Sequence, residues 1–100
     1  MQKTIERIEH MEKLYDQVRS KMDAMEKAIA EYEEFQSVIR ELEEYYTSDD
    51  WKEDFRLDEE GKLPADLKRG VLSEDGVYDL LERNAELIAM LTGEVDEYNG

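Results

Sequence analysis

Residues 5–46 read IERIEHMEKLYDQVRSKMDAMEKAIAEYEEFQSVIRELEEYY, with neither Gly nor Pro. Apolar side chains recur at Ile8, Met11, Tyr15, Val18, Met22, Met25, Ile29, Tyr32, Ile39 and Tyr46. Steps of three and four alternate along this row, which is the heptad rhythm of one helix face. A flanking row of Leu14, Ala28, Phe35 and Leu42 widens the stripe toward that of a bundle helix. Gln36 and Glu43 interrupt the seam late. Thr4 is the expected N-cap, with Glu6 in the first turn, and Thr47-Ser48-Asp49 supplies the stop.

One helix over 5–46 would extend about 63 Å at 1.5 Å per residue, whereas a compact domain of this length has a radius of gyration near ~13 Å. Either the helix bends, around Ser20 or Ser37, or part of its stripe is covered by another chain. Sharp kinks usually need Pro, Gly or a local bulge, so the lack of breakers favours the second option.

Beyond the stop, Trp51 and Phe55 stand four apart with Leu57 following, which predicts a short helix with one apolar edge, ended by Gly61. Pro64 is placed to open a further helical turn, closed at Gly70. Ser73 is expected to cap a last helix over 74–92, whose stripe of Val77, Leu80, Leu81, Leu87, Ile88 and Leu91 is interrupted by Asn84 and stopped by Gly93. Residues 93–100 read as a polar tail. The expected fold is all-α, a single helical domain over 1–100: a long N-terminal helix (5–46), short helices and turns (48–72), and a C-terminal helix (74–92) packed back antiparallel as a helical hairpin. That last helix, about 28 Å long, reaches only the C-terminal half of the first. The hairpin would become a bundle on dimerisation, with Ile8, Met11, Tyr15, Val18, Met22 and Met25 as the candidate dimer seam.

Composition agrees with a thin core and a large solvated face. Of 100 residues 41% are charged and 40% hydrophobic, against roughly 25% charged in ordinary domains. A domain this small buries only about two thirds of the surface its unfolded chain exposes, so a second copy is the expected means of enlarging the core. The net charge of −15 repels nucleic acid backbones and anionic lipid, so no direct nucleic acid or membrane partner is expected. The start carries no apolar run resembling a secretory signal, and the longest apolar stretch falls far short of the roughly 20 residues that span a bilayer. These features point to a cytoplasmic protein.

Cysteine is absent, removing thiol nucleophiles and thiolate metal sites. The only His, His10, has Arg7 three residues before it, so no Glu-x-x-His pair for a di-iron bundle exists. The calcium-loop frame fails around both Gly61 and Gly76, where Arg56 and Val71 fall at the first ligand position. No phosphate-cradling glycine loop and no nucleophile with both a base and an orienting carboxylate is found. No catalytic residue, metal site or cofactor is therefore expected.

The most informative stretch runs from Tyr45-Tyr46 to Tyr78, where the only Trp, the only Pro and the pair Lys68-Arg69 fall together. Trp, Tyr and Arg dominate binding hot spots, which makes Tyr46, Trp51, Lys68, Arg69 and Tyr78 the candidate partner-binding residues. The competing reading is structural: Trp51, Phe55, Leu63 and Val71 plug the end of the hairpin, and the two cations sit at a helix end among carboxylates.

The run Tyr45-Tyr46, Ser48, Trp51, Asp54, Asp58-Glu59, then Leu63-Pro64-Ala65-Asp66-Leu67-Lys68-Arg69-Gly70-Val71-Leu72-Ser73-Glu74-Asp75-Gly76-Val77-Tyr78-Asp79-Leu80-Leu81, resembles a small bacterial family, domain-of-unknown-function number 4298. The resemblance covers nearly the whole chain. It implies a short, helical, cytoplasmic protein and carries no established activity to transfer.

Three functions fit these readings. The first is a non-enzymatic helical protein–protein interaction or regulatory module, a homodimer with an unknown protein partner. The second is an acidic decoy for a basic protein surface, although the charge is divided as −5 over residues 1–47 and −10 over 48–100. The third is a hydrolase using carboxylate-bound magnesium, which needs only oxygen ligands.

Overall fold

A computed structural model of the chain describes residues 1–93, and every regular element in them is helical. The chain divides into two units, Met1–Phe35 and Gln36–Gly100. The polar tail expected from residue 93 onward lies, apart from Gly93, outside the described residues.

The first unit is a single helix, α1 (Gln2–Glu34). It starts earlier than Thr4 would allow as a cap: Met1 holds the N-cap position without a side-chain bond, and its carbonyl accepts from the Ile5 N–H at 3.0 Å. No side chain on α1 is buried.

The helix expected over 5–46 is interrupted at Phe35, and α2 (Gln36–Tyr46) follows. Phe35 keeps right-handed dihedrals, φ −71° and ψ −11°, and its N–H still reaches the Glu31 carbonyl. Neither Gly nor Pro marks the place, so local propensity does not account for it. From Gln36 onward the chain packs on α4 (Gly76–Thr92).

That packing is antiparallel. Gln36 at the start of α2 pairs with Asn84 in the middle of α4, while Tyr46 at the end of α2 donates to the Glu74 carbonyl just before α4 begins. The C-terminal helix thus folds back on α2, the last quarter of the expected long helix, where the expectation was its C-terminal half. Gln36 and Asn84, two of the three residues that broke the apolar stripes, answer each other: each amide nitrogen donates to the other's oxygen, at 3.2 and 3.0 Å. Asn84→Leu alone would take from the partly buried Gln36 amide both of its bonds to Asn84 and is expected to cost about 1–2 kcal/mol in denaturant unfolding, whereas Gln36→Leu with Asn84→Leu should recover most of it.

Ser48 caps α3 (Asp49–Glu59) by accepting from the Trp51 N–H at 3.2 Å, and Asp49 and Asp50 occupy the first turn where acidic charge suits the helix dipole. The far end closes as a Schellman motif: Gly61, at φ 71°, donates to Asp58, and Lys62 donates to Leu57.

The helical turn expected over Pro64–Arg69 does not form. The segment makes one reverse turn, with the Leu67 N–H on the Pro64 carbonyl at 3.2 Å, and Gly70 opens a 3-10 turn (Gly70–Leu72) instead of closing a helix. Lys68 and Arg69 therefore do not sit at a helix C-terminus, and the helix-end electrostatics expected for them do not apply. Ser73 does serve the last helix, through its Oγ accepting from the Gly76 N–H at 3.1 Å, but the helix begins two residues later than expected. Gly93, left-handed at φ 80°, ends it as expected.

The core of the second unit is small. Among the described residues Leu72 and Val77 are the buried apolar side chains, with Ile39, Leu42, Phe55, Leu57, Leu63, Leu81 and Ile88 half-buried around them. The plug was expected to use Val71. The 3-10 turn rotates the register by one, so Leu72 is buried and Val71 stays 42% exposed.

Candidate functional site

Two surfaces hold the residues singled out by the sequence, one on each unit. On the second unit Trp51 is the hub. Its ring stacks on Phe55 at 5.0 Å between centroids and meets Tyr46 edge-on at 5.1 Å. Its indole N–H donates to the Val71 carbonyl at 2.8 Å, tying α3 to the 3-10 turn across 20 residues of sequence. Tyr46 is anchored at both ends, by the ring contact and by the bond to Glu74.

The two cations, equivalent in the sequence, play different parts. Arg69 folds inward: one guanidinium nitrogen binds Asp58 at the end of α3 and another donates to the Ala65 carbonyl, so it braces the 62–69 loop. Lys68 stays exposed beside an open apolar groove of about 380 Å³ formed by Leu42, Val71, Val77 and Leu80 with the backbone of Gly70 and Gly76. Tyr78 is 54% exposed on α4, and its phenol is pushed upward in pKa, first by its hydrogen bond to Glu82. Tyr46, Trp51 and Arg69 are thus spent on holding α2, α3 and the loop together, while Lys68 and Tyr78 face outward.

One contact in this region escaped the sequence. Tyr45 donates its hydroxyl to Asp54 Oδ2 at 2.6 Å, across the α2–α3 turn. Partial burial pushes its phenol up to about 12, reinforced by the bond to Asp54 and by the charges of Asp54 and Asp50. The protonated phenol is the form the folded chain prefers. Its stabilisation is accordingly complete below the ordinary tyrosine value near ~10 and is lost as the pH rises toward about 12. A tyrosinate absorbance titration should show one of the six tyrosines ionising last, and Tyr45→Phe should remove that final step.

A second electrostatic cluster lies on the exposed side of α3. Arg56 binds Glu53 and Glu60 one turn to either side, and Lys62 reaches Glu60. Arg56 holds the Glu53 carboxyl below its usual range, and Lys62 followed by Arg56 does so for Glu60. Exposed pairs of this kind contribute little to stability. Among the described residues no group of three or more His, Asp or Glu is arranged to hold a metal ion, and no helix is long and apolar enough to cross a membrane.

The other surface is α1. The six residues of the candidate seam are all more than half exposed: Ile8 and Met11 at 54%, Tyr15 and Met22 at 61%, Val18 at 53% and Met25 at 62%. They follow one heptad row for about 26 Å at 1.5 Å per residue, and Ile5 and Leu14 beside them are also exposed. His10 is exposed on another side of the same helix.

The profile of one protein family, described as a domain of unknown function (DUF4298), matches residues 8–92. The match spans the α1 row as well as the helices of the second unit, and the chain belongs to that family. Comparison with curated proteins and with solved structures returns no match.

Proposed function

We propose that this DUF4298 member is a non-enzymatic helical interaction module that pairs with a second copy of itself through the α1 stripe. The observation that carries the reading is the contrast within α1 between order and burial. Its seam residues keep strict heptad spacing, yet every one from Ile8 to Met25 is more than half exposed in the single chain. Helices in water draw most of their stability from packing an amphipathic face, and contiguous apolar surface of this kind marks interaction sites. The composition of the stripe, Ile, Met, Tyr and Val at a and d positions, is that of a helix–helix seam.

The second unit supplies a folded head with an apolar groove edged by Lys68 and with Tyr78 nearby on α4. In this reading the pairing of α1 presents two such heads to a protein partner, and no chemistry is required of any side chain. Light scattering at tens of micromolar should return twice the monomer mass of 11.8 kDa. A monomer mass at that concentration would overturn the reading.

A further inference from the structure

The charged residues beside the α1 seam say how a second copy would lie. With Ile8, Tyr15 and Met22 at a and Met11, Val18 and Met25 at d, the flanking g positions are Arg7, Leu14, Lys21 and Ala28, and the e positions are Ile5, Glu12, Arg19, Glu26 and Glu33. In a parallel, in-register pair each g residue faces the e residue five positions further along the other helix. Arg7 then meets Glu12, and Lys21 meets Glu26, each twice by symmetry. Leu14 meets Arg19 and Ala28 meets Glu33, so no like charges are brought together.

Antiparallel pairing sets g against g and e against e. Centred between Tyr15 and Val18, it gains only Glu12 with Arg19. Moved along by half a heptad, to a centre at Ser20, it opposes Arg19 with Arg19, Lys21 with Lys21 and Glu12 with Glu26. All four residues of the favourable parallel pairs are exposed on α1. We infer that α1 forms a parallel, in-register two-stranded coiled coil with a second copy of this chain, its orientation set by Arg7–Glu12 and Lys21–Glu26 pairs between the copies.

This inference rests on the self-pairing reading above, and the experiment separates the two. The chain has no cysteine, so single cysteines report contacts without background. In the parallel arrangement Met11 meets Met11, and in the centred antiparallel one it meets Met22, about 16 Å along the helix. Full-length Met11→Cys, mass-checked by light scattering under reducing conditions and then treated with oxidised glutathione, is expected to be a dimer and to convert to disulfide-linked dimer. A mixture of Met11→Cys with a Met22→Cys chain distinguished by an affinity tag should yield little mixed product. A reduced dimer that forms the mixed disulfide instead overturns the orientation alone, whereas a reduced monomer overturns the pairing as well. Lys21→Glu should weaken the dimer about tenfold, from two lost attractions and two new repulsions, and Lys21→Glu with Glu26→Lys should restore it. Failure of that restoration would also overturn the parallel assignment.

Discussion

Replacing Met22 and Met25 together by glutamate is expected to return the chain to its monomer mass of 11.8 kDa while leaving the α2–α4 unit folded. Both side chains are more than 60% exposed in the single chain, so the substitution removes no intrachain packing of consequence. In a paired seam, by contrast, four carboxylates would be driven into an apolar interface. Burying an unpaired charge costs several kcal/mol, and at roughly 1.4 kcal/mol per tenfold the dimer constant should weaken by more than about a hundredfold. Light scattering or sedimentation reads the mass, and circular dichroism with thermal melting reads the fold of the remainder. A double variant that stays dimeric would place the seam elsewhere.

The second large effect is expected at Trp51. Trp51→Ala removes the ring that stacks on Phe55 and meets Tyr46, together with the indole bond to Val71 that tethers the 3-10 turn. Truncating a large core aromatic costs about 3–5 kcal/mol. Trp51 is half-buried, which places the expected loss at the low end, about 3 kcal/mol including the lost hydrogen bond. Trp51→Phe keeps a ring for stacking and loses the donor, so it should cost about 1 kcal/mol. Because Trp51 is the only tryptophan, helix content by circular dichroism in a denaturant series is the suitable readout. A loss below about 1 kcal/mol for the alanine variant would mean the ring is dispensable to the fold and available for a partner.

Local signals carried most of the helix boundaries. Ser48, Gly61 and Gly93 act where turn chemistry says they must, because a cap hydroxyl or a left-handed glycine settles a boundary within a few residues of sequence. Phe35 carries no such signal: its dihedrals are helical and its neighbours are good helix formers. The 64–69 segment failed for the opposite reason. Pro64 and Gly70 have the spacing of a helical turn, but Arg69 is drawn to Asp58, eleven residues back, and the loop closes on that contact instead. The candidate recognition residues show the same limit. Residue type grouped Tyr46, Lys68, Arg69 and Tyr78 as one set, and the fold shows Arg69 and Tyr46 bonded within the second unit while Lys68 and Tyr78 stay exposed.

The polar interruptions were legible in the sequence. Gln36 and Asn84 each break an apolar stripe, and a polar residue on each of two facing stripes is the signature of a matched pair. Tyr45–Asp54 has no comparable signature, since nine residues and a helix break separate the two.

Hydrogen exchange on the intact chain at two concentrations tests the central claim most directly, because it reads pairing at the residues said to carry it. Amides open at a rate set by the local packing that must be lost, and α1 has no buried side chain of its own. Protection of the amides from Ile8 to Met25 is predicted to rise steeply between low and tens of micromolar, while protection in α2, α3 and α4 stays constant. Protection of α1 that is low and unchanged across that range would contradict self-pairing through its apolar stripe.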